Sequence, residues 1–117
     1  MKTNNTLADI LDRASVVGLD AYGVIYNEEG VFPGAHSFIQ TLVERNKDWF
    51  LMTNNATQSP QVISDRLHDW GVSIAPDHII SSGAGLEYLP KYRQMIEGQT
   101  VYLYGYESAR YYVRQAN

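Results

Sequence analysis

Ser15-Val16-Val17-Gly18-Leu19-Asp20 is a short run of β-formers that closes on a carboxylate. A run that is apolar throughout, without alternation, reads as a strand buried on both faces, the kind found in parallel sheets. A second such run, Trp49-Phe50-Leu51-Met52, closes on Thr53-Asn54-Asn55. These two strands set the expectation for everything around them.

Before the first run, Leu7, Ile10 and Leu11 fall on one helical face behind a cap at Thr6 or Asn5, so a short leading helix is expected to end near Arg13. After it, Tyr22 to Tyr26 is apolar and tight, Asn27 to Gly30 carries turn residues, and Val31-Phe32 returns toward Pro33-Gly34. That pattern is a small hairpin or flap. The spacing of Phe38, Leu42 and Val43 suits a helix over 35–45. Ser59-Pro60 offers an N-cap followed by proline at the first helical position, and Val62, Ile63, Leu67 and Trp70 give the next helix its apolar face before Gly71 stops it. Further on, 77–82 reads as a third strand, 85–95 as a helix, 100–104 as a fourth strand and 108–115 as a closing helix. Strand and helix alternate, which argues for an α/β architecture with right-handed crossovers.

A chain of 117 residues makes one domain the prior, and its 44% hydrophobic and 19% charged shares are those of a globular protein. Nine Lys and Arg against thirteen Asp and Glu leave a net charge of -4, so binding to a nucleic-acid backbone would work against the mean field. No run approaches the roughly 20 apolar residues of a membrane span. The absence of cysteine excludes disulfides, thiolate metal sites and thiol nucleophiles. The polar start MKTNNTLADI does not read as a secretion signal, so a cytoplasmic protein is expected. His36, His68 and His78 have no metal-ligand spacing.

Ligands of open parallel sheets bind beyond the carboxyl ends of the strands, where loop amides and helix N-termini converge. If the two apolar runs are neighbouring strands, the Asp20 carboxylate and the Thr53 hydroxyl share one crevice. That pair suits phosphate chemistry: a carboxylate attacks phosphorus or holds Mg²⁺, and a hydroxyl with nearby N–H groups binds the transferring oxygens. Taken singly, Asp20 and Asn54-Asn55 read as ordinary turn residues.

Two motifs in order change that balance. Asp20-Ala21-Tyr22-Gly23-Val24-Ile25 resembles the first motif of the haloacid dehalogenase superfamily, a strand followed by Asp-x-Asp-Gly-[Thr/Val]-[Leu/Ile]. Leu51-Met52-Thr53-Asn54-Asn55 resembles its second. With Pro33-Gly34-Ala35 between them, the pattern is similar to the nitrophenylphosphatase-like and NagD-like subgroup. The resemblance implies a Rossmann-like parallel sheet with flanking helices, here incomplete: an N-terminal part of the core over 1–80, then a core-to-cap connection and first cap elements over 81–117. It implies hydrolysis of a small phosphorylated metabolite with Asp20 as nucleophile and Mg²⁺ ligand. The Tyr22 backbone carbonyl would be a second metal ligand, Thr53 would bind the phosphoryl group, Asn54 and Asn55 would shape the pocket, and Gly23 would let the chain unwind beside it. Ser81 and Ser82 would lie near the entrance.

Two departures from the family pattern stand out. Tyr22 occupies the position of a second Asp that serves as general acid and base, and a phenol with a pKa of about 10 is a poor substitute. Asp-Ala-Tyr-Gly also resembles the start of 2-haloacid dehalogenases, which leaves carbon–halogen hydrolysis as an alternative, with Tyr22 as a packing residue closing the pocket floor as the plain one. Second, the later Lys and acidic pair of the family are missing: after Thr53 the sole lysine is Lys91. The 117 residues are expected to be the front part of a longer enzyme, weak or inactive alone, or else a non-catalytic α/β binding domain. Tyr102, Tyr104, Tyr106, Tyr111 and Tyr112 form an aromatic group whose exposure would favour a homo-oligomer.

Overall fold

The computed structural model describes residues 6–117. Helix α1 spans Leu7–Arg13 and opens with a reciprocal cap. The Asp9 N–H donates to Thr6 Oγ1 at 3.2 Å, and the Thr6 N–H donates to Asp9 Oδ2 at 2.9 Å. Asn5, the other expected cap, lies outside the described residues. Of the three apolar residues assigned to one face, Leu11 is buried while Leu7 and Ile10 are exposed.

Strand β1 covers Val16–Asp20. The hairpin follows as β2 (Tyr26–Asn27) and β3 (Gly30–Val31), antiparallel, with Tyr26 opposite Val31. Gly23 at φ 82° and Gly30 at φ 136° hold the two bends where a Cβ would strain the chain. Helix α2 covers Ala35–Glu44, strand β4 Asp48–Thr53 and helix α3 Pro60–Asp69, whose Ser59 cap accepts from the Val62 N–H at 3.3 Å. Strand β5 is Ile79–Ser81. The sheet is parallel in the order β1-β4-β5, with Leu19 beside Leu51, Asp20 beside Met52 and Thr53 beside Ser81.

Because strand order advances in one direction, crossovers of the same hand set α2 and α3 on the same face. Ile39 and Leu42 of α2, Ile63 and Leu67 of α3, and Leu19, Leu51 and Ile79 of the sheet form one core. The expectation of strands buried on both faces is therefore corrected. Val16, Met52 and Ile80, on the opposite face, are exposed, since no described element covers them.

Beyond Ser81 two further expectations change. The helix over 85–95 is broken into α4 (Gly85–Tyr88) and α5 (Pro90–Ile96), because Pro90 lacks an N–H and drives Leu89 to an extended conformation at ψ 114°. The expected strand 100–104 is not a strand. Its residues pair with nothing, and Tyr102 and Tyr104 are 89% and 95% exposed. β-Formers make a strand only beside a neighbour that completes the ladder. Helix α6 (Arg110–Ala116) closes the chain and packs with α4 and α5. The radius of gyration, 16.9 Å, exceeds the about 13 Å of a compact chain of this length.

Candidate active site

Asp20 is the last residue of β1 and Thr53 the last of the adjacent β4. The register sets Asp20 beside Met52, so strict alternation assigns Asp20 and Thr53 to opposite faces of the sheet. Both strands nevertheless stop there, and the two residues line the same crevices beyond the strand ends. One crevice, of about 670 Å³, runs from Asp20, Thr53, Asn54 and Asn55 to Tyr22, Tyr26 and Glu28 of the hairpin region and to Arg66 and Trp70 at the end of α3. A smaller one, of about 320 Å³, lies over the strand ends between Asp20, Thr53 and the Ser81-Ser82 turn.

Asp20 is exposed, and its Oδ1 accepts the Ala21 N–H at 2.9 Å. Thr53 is 7% exposed, and its Oγ1 accepts the Asn55 N–H at 3.1 Å. Asn55 shapes the loop rather than pointing free. Its Oδ1 accepts the Thr57 N–H at 2.9 Å and the Thr57 hydroxyl at 2.6 Å, while Nδ2 donates to Gln58 Oε1 at 3.1 Å. Gly23 is not a lining residue; its N–H donates to the Tyr26 carbonyl at 2.8 Å and so serves the hairpin bend.

Residues far along the chain hold this loop. The Ser81 hydroxyl donates to the Asn55 carbonyl at 2.7 Å and accepts the Gly83 N–H at 3.1 Å, and the Ser82 hydroxyl donates to the Asn54 carbonyl at 3.0 Å. Tyr112 Oη donates to the Gln58 carbonyl at 2.6 Å, and the Ser108 hydroxyl donates to that of Thr57. Burial pushes the Tyr112 phenol above its ordinary pKa, which keeps it a donor.

Tyr22 is exposed rather than packed into a floor, with its ring edge-on to Tyr26 at 6.2 Å. Its hydroxyl donates to the Glu28 carboxylate. That bond raises the phenol above its usual value and lowers the carboxyl of Glu28 below its own. A harder-to-ionise phenol is a still weaker proton donor at neutral pH, but the contact brings a carboxylate to the crevice from the hairpin.

Two hard oxygens are available for a divalent cation. One is the Asp20 carboxylate, and the other is the Tyr22 carbonyl, which accepts no backbone hydrogen bond among the described residues. No group of three or more acidic or histidine side chains converges among those residues. Two oxygens are fewer than the six an octahedral cation takes, so an ion held by them would stay mostly hydrated.

Reading the residues alone passed over Arg66, Trp70, Tyr26 and Glu28. Arg66 and Trp70 are four apart beside the apolar face of α3, and that spacing was the available signal.

A three-stranded parallel sheet whose adjacent strand ends carry a carboxylate and a hydroxyl over an open crevice is a Rossmann-like core with a candidate ligand site at the carboxyl ends of its strands. The model of the haloacid dehalogenase-like hydrolases matches residues 17–117, and the chain belongs to that family. It is 35% identical over 86 residues to a dihydroxyacetone phosphatase of Corynebacterium glutamicum, covering 74% of this chain and 30% of that protein. The structure is similar to 4-nitrophenylphosphatase from Thermotoga maritima, with a TM-score of 0.75 and 25% identity over 92% of this chain and 40% of that one. NagD from E. coli has the same fold, at a TM-score of 0.68 and 20% identity over 87% of this chain and 40% of that one. The chain thus spans about a third of the length of the curated relative and two fifths of the solved ones.

Proposed function

We propose that this chain carries the nucleophile-bearing part of a phosphatase site acting on a small phosphorylated metabolite in the cytoplasm. The observation that carries the reading is the placement of Asp20 and Thr53 at adjacent strand ends over one crevice, in a chain 35% identical to a phosphatase. An Asp20 carboxylate oxygen attacks phosphorus, the P–O bond to the leaving alcohol breaks, and an aspartyl-phosphate forms. Water then attacks that phosphorus and returns the carboxylate. Thr53 donates to the phosphoryl oxygens, with the Asn54-Asn55 loop shaping their pocket. Asp20 and the Tyr22 carbonyl would hold Mg²⁺, which supplies charge neutralisation when bound. Residues 1–80 form the core part of this reading and 81–117 the connection toward a cap; the exposed tyrosines there suit self-association.

With Tyr22 in place of a second carboxyl, the leaving group receives little help from a proton donor. Esters of acidic alcohols should therefore turn over faster than alkyl phosphates, and the chain alone should be a weak catalyst. Beryllofluoride mimics a phosphoryl group on an aspartate. Its Mg²⁺-dependent uptake, followed by fluorine NMR, is expected in the wild type and lost in Asp20→Asn; equal uptake in both would remove Asp20 from the reaction.

A further inference from the structure

A third cavity, of about 780 Å³, opens between β5, the start of α3, and helices α4 and α6. Asp20, Thr53, Asn54 and Asn55 take no part in its lining, so it is separate from the crevices at the strand ends. Pro60, Pro76, Ile79 and Ile80 give it an apolar wall, and Tyr111 and Tyr112, whose rings meet edge-on at 5.1 Å, give it an aromatic one. Several polar ends of the lining are already committed. The Tyr112 hydroxyl donates to the Gln58 carbonyl, the Ser81 hydroxyl donates to the Asn55 carbonyl, and Gln61 Nε2 donates to Asp65 Oδ1 at 2.7 Å.

The groups left for a ligand are hydrogen-bond acceptors: the Asp77 and Glu87 carboxylates and the Gln61 carbonyl oxygen, with the Tyr88 and Tyr111 phenols. Glu87 is half-buried and has no ion pair among the described residues, and neither Lys, Arg nor His is among the residues that line the cavity. A carboxylate partly withdrawn from water without a counter-charge favours a cation, and tyrosine ring faces attract one further. An anionic ligand would meet only like charge here. The volume and the proline and isoleucine wall suit an apolar body attached to that cation.

We propose that this cavity binds a small organic ammonium ion, an amine carried on an aromatic body, with Glu87 and Asp77 as its counter-charges. The site stands independently of the phosphatase reading. Its wall includes Ser81 and Tyr112, so an occupant shares that wall with the two side chains that hold the loop after Thr53.

Isothermal titration calorimetry at neutral pH tests the assignment with three probes that share a phenyl ring and a two-carbon spacer: phenethylammonium, 2-phenylethanol and 3-phenylpropanoate. The ammonium ion is expected to bind about tenfold or more tightly than the alcohol, as a charge-assisted hydrogen bond implies, and the carboxylate to bind more weakly than either. Glu87→Gln should remove most of that preference while leaving the affinity for the alcohol unchanged. Asp77→Asn should reduce it less, because Asp77 is exposed. Asp20→Asn should leave all three affinities as they are. Near-UV circular dichroism checks that each variant is folded. Absence of ammonium binding, equal affinity for ammonium and alcohol, or a preference that survives Glu87→Gln combined with Asp77→Asn overturns the proposal. So does loss of ammonium binding in Asp20→Asn, which would move the amine to the strand-end crevice. Nα-acetyl-lysine amide binding as tightly as phenethylammonium would also overturn it, by assigning the cavity to a lysine side chain of a protein partner.

Discussion

Ser81→Ala is the perturbation that best tests whether the loop carrying Thr53 is held from a distance. Ser81 is 3% exposed, and its hydroxyl joins two backbone groups, the Asn55 carbonyl at 2.7 Å and the Gly83 N–H at 3.1 Å. Removing the hydroxyl leaves both groups without that partner in a site that water reaches poorly. An unsatisfied buried group costs about 1–3 kcal/mol. Allowing some water at the Asn55 side, the expected loss is about 2–4 kcal/mol, a large share of the 5–15 kcal/mol typical of a domain. Ser82 is the internal control. Its hydroxyl makes one exposed bond, to the Asn54 carbonyl at 3.0 Å, so Ser82→Ala should cost less than about 1 kcal/mol. Urea denaturation followed by the fluorescence of Trp49 and Trp70 measures both. The reasoning fails if the two alanine variants fall within about 0.5 kcal/mol of each other, because the difference rests entirely on burial and on the second bond.

The Tyr22–Glu28 contact has a defined pH window. Glu28 is lowered from 4.5 and Tyr22 raised from 10.0, so the contact is complete at neutral pH, is lost on acidification through the depressed carboxyl value, and is lost again above the raised phenol value. Carbon-detected NMR titration of Glu28 should show its pKa returning toward the ordinary value in Tyr22→Phe; an unmoved titration would dissociate the pair. Gly83→Ala would set a Cβ 2.6 Å from Tyr112 Cδ2, forcing the ring away and breaking its bond to Gln58, at a cost of about 1–3 kcal/mol. Recovery of most of that stability in Gly83→Ala with Tyr112→Leu is the expected check, and an unchanged urea midpoint in Gly83→Ala would refute the close approach.

Much of the architecture is written locally. Val16 to Leu19 and Trp49 to Met52 are apolar runs closed by polar residues, and they became adjacent parallel strands ending on Asp20 and Thr53. Ser59-Pro60 is a cap and a first-turn proline whose meaning needs no tertiary partner, and the helix begins there. Pro90 was equally local, yet the apolar pattern over 85–95 masked it; a missing N–H and a clash with the preceding turn prevail over periodicity. The 100–104 run shows the opposite limit. Its β-forming composition is plain, but a strand exists only in relation to another strand, and none of the described residues supplies one.

The amino-acid order alone determined the alternation of elements as far as Ser81, the hairpin after the first strand, and the carboxylate and hydroxyl at strand ends, because these follow from periodicity, caps and turns within a few residues. Tertiary structure decided which face of the sheet is covered, that Ser81 and Tyr112 clamp a loop 26 and 54 residues earlier, and that Arg66 and Glu28 reach the crevice. Those contacts join residues distant along the chain through the direction in which strand order advances and the turn of each helix. Such geometry has no signature at any single position.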